Sequence, residues 1–193
     1  MISRIDHVAV AVKDHEKALR FFRDVLGAVP GDQIEVPGQN FTWQTLALGD
    51  LTRLELLTPM GGEGGLLGNF LAKREGGFHH ITLQTPDIEA AIRRLEEHGI
   101  PHFGRHDYPD GTWKEVFIHP RDAFGLLVQI AEFRQQDWII AESRMPEGKR
   151  WDVAKTDQGF TLTIAHPGGG KVAVEFSPEE MKDLSEALQK AVK

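Results

Sequence analysis

The sequence predicts an α+β fold built from a duplicated β-α-β-β-β unit, with a short β-β-α extension behind it. Three observations carry this. The segment "HVAVAVKD" (His7 to Asp14) returns as "HITLQTPD" (His80 to Asp87), each a histidine, an alternating stretch and an aspartate seven residues on. Each aspartate opens an apolar pattern of helical period. Strand-like segments then come after each helix in the same order, as expected of duplicated units that share a core.

Taken in order, the first strand is the His7 stretch. Its helix, "DHEKALRFFRDVLGA", carries Ala18, Leu19, Phe22, Val25 and Leu26 on one stripe. Asp14 is placed as N-cap, where its carboxylate accepts orphan N–H groups, and Gly27 as the stop. A weak strand comes next, then "NFTWQTLALGD" and "LTRLELLTP", a hairpin around Gly49-Asp50. The stretch "GGEGGLLGNF" has neither a preceding strand nor a GK[ST] end, so it is no phosphate loop. In the second half "DIEAAIRRLEEHGI" has Ile88, Ala91, Ile92 and Leu95 at helical spacing, between Asp87 as cap and Gly99 as stop. Another weak strand precedes "KEVFIHP" and "FGLLVQIAE", joined by "PRDA". The two modules span about 4–60 and 76–132, within a first domain of residues 1–133.

Residues 134–193 form an appendage. "GFTLTIAHPGGGKVAVEF" predicts a β-hairpin turning at Pro167 to Gly170. In "SPEEMKDLSEALQKAVK", Ser177 as N-cap, Pro178 at the first helical position and Glu180 at the third give a capping-box layout. Met181, Leu184, Leu188 and Val192 form its stripe. The first expectation is a small unit of structural role. The sharper one is a dimerisation element or a cover over the site, involving Trp138 and Trp151.

The 193 residues are 40% hydrophobic and 26% charged, enough for a real core. A net charge of -7 argues against a nucleic-acid partner, whose phosphates require a basic patch. No apolar run reaches membrane-spanning length. The opening "MISRIDHVAVAV" holds Asp6 and His7 inside its apolar stretch, unlike a signal peptide, so the expected location is cytoplasmic. With no cysteine, metal ligation falls to His, Asp, Glu and Gln.

The pleat selects among these. Residues i and i+2 of a strand share a face. His7 shares one with Ala9 and Ala11, His80 with Thr82 and Gln84, Glu55 with Arg53 and Leu57, and Gln129 with Leu127 and Ala131. The opposite faces carry the bulky aliphatics that suit packing under the helices. His7 and His80 are 73 positions apart, Glu55 and Gln129 74, so four polar residues fall on one repeat offset and one concave face. His79 is assigned to the helix-packed side or the start of its strand. Two imidazoles, a carboxylate and an amide oxygen suit a divalent Co, Ni, Zn, Mn or Fe ion. Such an ion acts as a Lewis acid toward a carbonyl, easing removal of the proton next to it. The plain alternative is four polar residues hydrogen-bonded in a wet barrel. His119, before Pro120, is assigned a turn role; His98, His102 and His106 are assigned to the surface, in a loop near the cavity mouth.

The stretches "IDHVAVAVKDHEKALRFFRDVLG", "LELLTP", "LLGNFLAKREGGFHHITL" and "FIHPRDAFGLLVQI" resemble the vicinal-oxygen-chelate superfamily, the glyoxalase and bleomycin-resistance fold, within it the methylmalonyl-CoA epimerases. The resemblance covers about residues 5–132. It implies two tandem βαβββ modules forming a cup-like mixed sheet around a metal held by His7, Glu55, His80 and Gln129, with "GGEGGLLGNF" as the crossover. Two departures stand out. "VPGQNF" puts Gly38 where those epimerases carry a catalytic Glu, with Glu35 the nearest carboxylate upstream. Gln129 stands where a Glu is usual, so the charged and neutral oxygen ligands are exchanged between modules and Glu55 becomes the expected base. The resemblance implies a metal-dependent isomerase or lyase that stabilises an enolate of a chelated carbonyl or carboxylate substrate, in a homodimer. Two alternatives stay open: a non-catalytic small-molecule binding or resistance protein, and an Fe(II) dioxygenase, against which Gln129 counts.

Overall fold

The computed structural model describes residues 2–48, 52–61, 65–134, 144–166 and 170–192. The chain divides into two units, Met1–Trp138 and Ile139–Lys193. In the first, strand β1 (Arg4–Val12), helix α1 (His15–Arg20), β2 (Val29–Val36), β3 (Phe41–Leu48) and β4 (Thr52–Pro59) make one module. Helix α2 (Gly65–Leu71) crosses over to the second, made of β5 (Gly76–Gln84), α3 (Ile88–Glu97), β6 (Phe103–Asp107), β7 (Trp113–Ile118) and β8 (Val128–Phe133). All eight strands join one curled sheet in the order β2-β3-β4-β1-β5-β8-β7-β6. At its centre β1 and β5 run antiparallel, flanked by the parallel pairs β1–β4 and β5–β8. A pseudo-twofold between β1 and β5 therefore relates the halves, as the duplicated fold requires.

The caps form as the residues dictate. Asp14 accepts from the Lys17 N–H and Asp87 from the Ala90 N–H. Gly27 and Gly99 adopt the positive φ of 72° and 65° that lets a helix end where a side chain would clash. One face of the sheet packs under the two helices: Ala18, Leu19 and Phe22 against Val10, Leu46 and Leu56, and Ile88, Ala91 and Leu95 against Ile81, Val116 and Ile130. The predicted stripe of the first helix fails at its end, since Val25 and Leu26 are exposed. Phe21–Val25 is a π turn, with Leu26 N–H donating to the Phe21 carbonyl. An i→i+5 turn inserts a residue into the helical phase, so the side chains at its end leave the buried face.

The opposite, concave face is only partly the small and polar surface expected. Leu67 and Leu71 of α2 cover Ala9, Ala11 and Leu57, beside Phe41, Trp43 and Phe70. The crossover thus fills one end of the cup with apolar side chains and leaves the other end to the polar cluster. Two register shifts shape that cluster. Between β1 and β5, Ile5 pairs with Leu83 and His7 with Thr82, making Asp6 the extra residue. Further on, Ala9 pairs with His80 and Val10 with Phe78, making His79 the extra residue. A bulge breaks alternation, so each extra residue turns its side chain toward the histidine next in the chain.

The second unit has β9 (Trp151–Lys155), β10 (Phe160–Ala165), β11 (Lys171–Phe176) and α4 (Pro178–Ala191). The expected hairpin is β10–β11, but the sheet gains β9 along the other edge of β10. The five-residue "WDVAK" is too short for its pattern to announce a strand; its pairing with β10 makes it one. Ser177 and Glu180 close the expected capping box. Residues 49–50, 138 and 167–169, which hold the two predicted turns and Trp138, lie outside the described residues. No described helix is long and apolar enough to cross a membrane.

Candidate metal centre

The strands bring three of the four expected residues to one point. His7, Glu55 and His80 each offer a ligand atom, all within 4.8 Å of one another. The Glu55 carboxylate lies 3.6 Å from His7 Nε2 and 3.7 Å from His80 Nε2. These separations are long for hydrogen bonds. They lie at or just beyond the roughly 3–3.6 Å that separates ligands each about 2.0–2.2 Å from one metal ion, so a small inward movement of the side chains would let them share an ion. The placement comes from register: Glu55 and His80 both pair with Ala9, from opposite sides of β1, and His7 sits two residues away on the same face. Gln129 pairs with Thr82 on β8, as Glu55 pairs with Ala9 in the other module.

Gln129 reaches the group through Thr82. The Thr82 hydroxyl donates to Gln129 Oε1 at 2.5 Å and lies 2.8 Å from His7 Nε2. The amide nitrogen of Gln129 donates to Glu115 Oε2 at 2.6 Å, and the Trp113 indole N–H donates to the same oxygen at 2.8 Å. Trp113 is fixed by stacking on Phe133, with centroids 4.3 Å apart.

Both histidines of the cluster are held from behind. The Asp6 carboxylate is 2.8 Å from His7 Nδ1, which leaves Nε2 facing Glu55. Asp6 is fully buried and also pairs with Arg4 at 2.6 Å and with Arg53. Burial pushes its pKa up, but the His7 hydrogen bond and the Arg53 and Arg4 charges outweigh this and hold it below the ordinary value. In the second module His79 Nδ1 lies 2.9 Å from His80 Nδ1, so one ring's N–H meets the other's lone pair. The His79 ring also packs on Phe70 of α2. The period of two assigns His79 away from the site; the bulge places it as the counterpart of Asp6.

The electrostatics suit a cation. Burial, and then the nearby His7 and His79, outweigh the opposing effect of the Gln129 side chain and hold His80 well below the usual imidazole pKa, which favours the neutral ring; with Nδ1–H donating to His79, Nε2 carries the lone pair. His80 Nε2 is buried with no hydrogen-bond partner among the described residues. A buried nitrogen lone pair aimed at a carboxylate across 3.7 Å is costly unless something positive lies between them. The residues therefore fit a divalent ion. Burial also raises the Glu55 pKa; His7 and Arg53 oppose this, while Asp6 and Glu115 add to it. Glu115 is raised by burial too, against the hydrogen bonds from Trp113 and Gln129.

The remaining expectations divide. His119 Nδ1 accepts from the Arg121 N–H in a turn, as expected. His102 faces Glu96 at 3.6 Å, away from the centre. His98 and His106 are exposed, as expected; His106 pairs with Glu115 across β6 and β7 and packs on Tyr108. A Cβ added at Gly38 meets no atom within 4 Å. Asp6, His79, Thr82 and Glu115 join the site without having been singled out by sequence. Glu115 was within reach of the same pleat rule, since it shares a face with Trp113 and Phe117 against Val116 and Ile118.

A curled sheet of two βαβββ modules around a pair of histidines and a carboxylate defines a class before any comparison is made. The family model described as Glyoxalase/Bleomycin resistance protein/Dioxygenase superfamily matches residues 6–117, and the chain belongs to that superfamily. Within it, the chain is 39% identical over 140 residues to the ethylmalonyl-CoA/methylmalonyl-CoA epimerase of Cereibacter sphaeroides, covering 68% of this chain and 99% of the relative. It is 34% identical over 137 residues to the mitochondrial methylmalonyl-CoA epimerase of Mus musculus, covering 68% and 74%. Among solved structures, a variant of the Streptomyces coelicolor methylmalonyl-CoA epimerase in complex with 2-nitronate-propionyl-CoA superposes with a TM-score of 0.62 at 26% identity, covering 69% of this chain and 99% of that one.

Proposed function

We propose that the protein is a metal-dependent isomerase that moves a proton at the carbon next to the thioester carbonyl of a branched acyl-CoA, as its epimerase relatives' names indicate for them. The observation that carries this is the convergence of His7, Glu55 and His80, whose ligand atoms lie within 4.8 Å of one another. His7, His80 and Glu55 would hold the ion, with the Gln129 amide oxygen as fourth donor; Co, Ni, Zn, Mn or Fe(II) all suit this set. The ion would supply Lewis-acid stabilisation of negative charge on a chelated substrate oxygen.

The chain's own residues supply the rest. Glu55 is the carboxylate base, the one carboxylate among the described residues that shares the cluster with both histidines. Asp6 and His79 fix the two imidazoles. Trp113 and Phe117, whose rings lie 6.5 Å from His7 and His80 respectively, narrow the site and exclude water. Gly38 contributes no proton carrier. Glyoxalase-type isomerisation or lyase chemistry through the same enolate uses the same parts. The reading takes the protein as cytoplasmic and homodimeric, and light scattering on the purified protein tests the second, a monomer's mass counting against it.

Gly38 also supports a second reading, a non-catalytic binder of the same ligands. Metal analysis separates the two. The purified protein should bind about one divalent ion per chain and lose it in His80→Ala. A protein that takes up no divalent metal under any loading, yet binds acyl-CoA tightly, supports the binder.

A further inference from the structure

We propose that Glu115 is a positioning residue that fixes which end of the Gln129 amide faces the metal centre. A glutamine side chain can ligate a cation only through its oxygen, and its two ends are otherwise nearly alike in shape. An ionised carboxylate only accepts hydrogen bonds. Glu115 Oε2 already receives the Trp113 indole N–H at 2.8 Å, so only the NH₂ end of Gln129 can meet it, at 2.6 Å. On the other side the Thr82 hydroxyl donates to Oε1. A flipped amide would set its oxygen against the carboxylate with no proton between them. A hydroxyl can donate or accept, so Thr82 suits either end of the amide, and the Glu115 contact is the one that selects the orientation with the oxygen toward Thr82 and His7.

The same contact accounts for the residue type at 129. A glutamate there would face Glu115 as a second carboxylate, and like charges in a buried site repel. In the first module the corresponding place, across from the residue two beyond the oxygen ligand, holds Trp43 opposite Leu57; in the second it holds Glu115 opposite Ala131. Trp43 packs into the apolar end of the cup. The first module thus accommodates a charged oxygen ligand, and the second, with its carboxylate behind the site, requires a neutral one that carries a donor. The exchange of Glu and Gln between modules is explained by where this carboxylate sits.

The inference rests on the metal-centre reading, and the test separates the two. Cobalt(II) affinity is measured for the wild type, Glu115→Gln, Glu115→Leu, Gln129→Glu and the Glu115→Gln/Gln129→Glu pair. The ¹⁵N–¹H signals of the Gln129 side-chain amide are monitored in the metal-free protein. Glu115→Gln keeps an acceptor oxygen and should bind cobalt nearly as the wild type does. Glu115→Leu should bind about 10–100-fold more weakly. Gln129→Glu alone should also weaken binding, and adding Glu115→Gln should restore it. The Gln129 amide protons should be protected in the wild type and Glu115→Gln and lose protection in Glu115→Leu. Unchanged cobalt affinity in Glu115→Leu, equal weakness in Glu115→Gln, or no rescue of Gln129→Glu would overturn the proposal. A wild type that binds no cobalt defeats the metal-centre reading; the amide signals then decide the role of Glu115 alone, an unprotected wild-type amide defeating it.

Discussion

Asp6 and His79 occupy the same place in the two modules, each inserted before the histidine it braces. Asp6 does more than orient His7. It is the buried counter-charge for Arg4 and Arg53. Removing one member of a buried ionic group costs about 3–5 kcal/mol, because the partners remain in a poor solvent. Asp6→Ala should lower unfolding stability by that order in chemical denaturation. It should also weaken metal binding about 10–100-fold, as the loss of a group behind a ligand does elsewhere. The pH dependence of the metal-free protein comes from the same residues. The folded-state pKa of His80 is below its ordinary value of 6.5, so the unfolded chain takes up a proton that the folded chain refuses. That stability is present above pH 6.5 and is lost as the pH falls below it. Asp6, also lowered, adds a further loss only below its ordinary value of 3.8. Denaturation midpoints should therefore drop between about pH 7.5 and 5.5, and His80→Gln should flatten that drop. An equal slope in the variant would show that another group carries it. The convergence of His7, Glu55 and His80 was legible because an unbroken period of two places them on one face, where Gln129 also falls beside Thr82. Asp6 and His79 were not, because a bulge is a property of paired strands and neither strand's own pattern shows it.

At the scale of elements, the helices were the clearest. Asp14 and Asp87 cap as their positions require, and α3 buries the residues its period selects. The failures arose where neighbours decide. The π turn removes Val25 and Leu26 from the core. The glycine-flanked crossover becomes α2, whose Leu67 and Leu71 find an apolar partner only once the sheet has curled. Strand β9 exists through its pairing with β10. In the second unit a backbone crossing is equally specific. A Cβ on Gly159 would come within 2.1 Å of the Phe176 carbonyl oxygen, a contact that backbone cannot relieve by rotation. Gly159→Ala should destabilise this unit by roughly 1–3 kcal/mol. Amide hydrogen exchange should quicken across β10 and β11 while α3 stays protected. Unchanged exchange there would show that the crossing has slack.

For the whole molecule, duplication is the organising fact. One module contributes His7 and a charged oxygen donor, the other His80 and a neutral one. Their asymmetry comes from what lies behind each: α2 and Trp43 on one side, Trp113 and Glu115 on the other. The acidic net charge of -7 leaves the cup as the feature that tells most about function. The proposed function stands or falls on whether this cup removes a proton next to a thioester carbonyl with the help of a bound ion and Glu55. Solvent deuterium exchange at the carbon between the two carbonyl groups of methylmalonyl-CoA reads that step itself. NMR would report it for metal-loaded, chelator-stripped and Glu55→Gln protein. Exchange is expected in the loaded protein, lost on stripping, recovered on reloading and abolished in Glu55→Gln. Exchange that persists unchanged in the stripped protein or in Glu55→Gln would contradict the proposal, as would a loaded wild type that exchanges nothing.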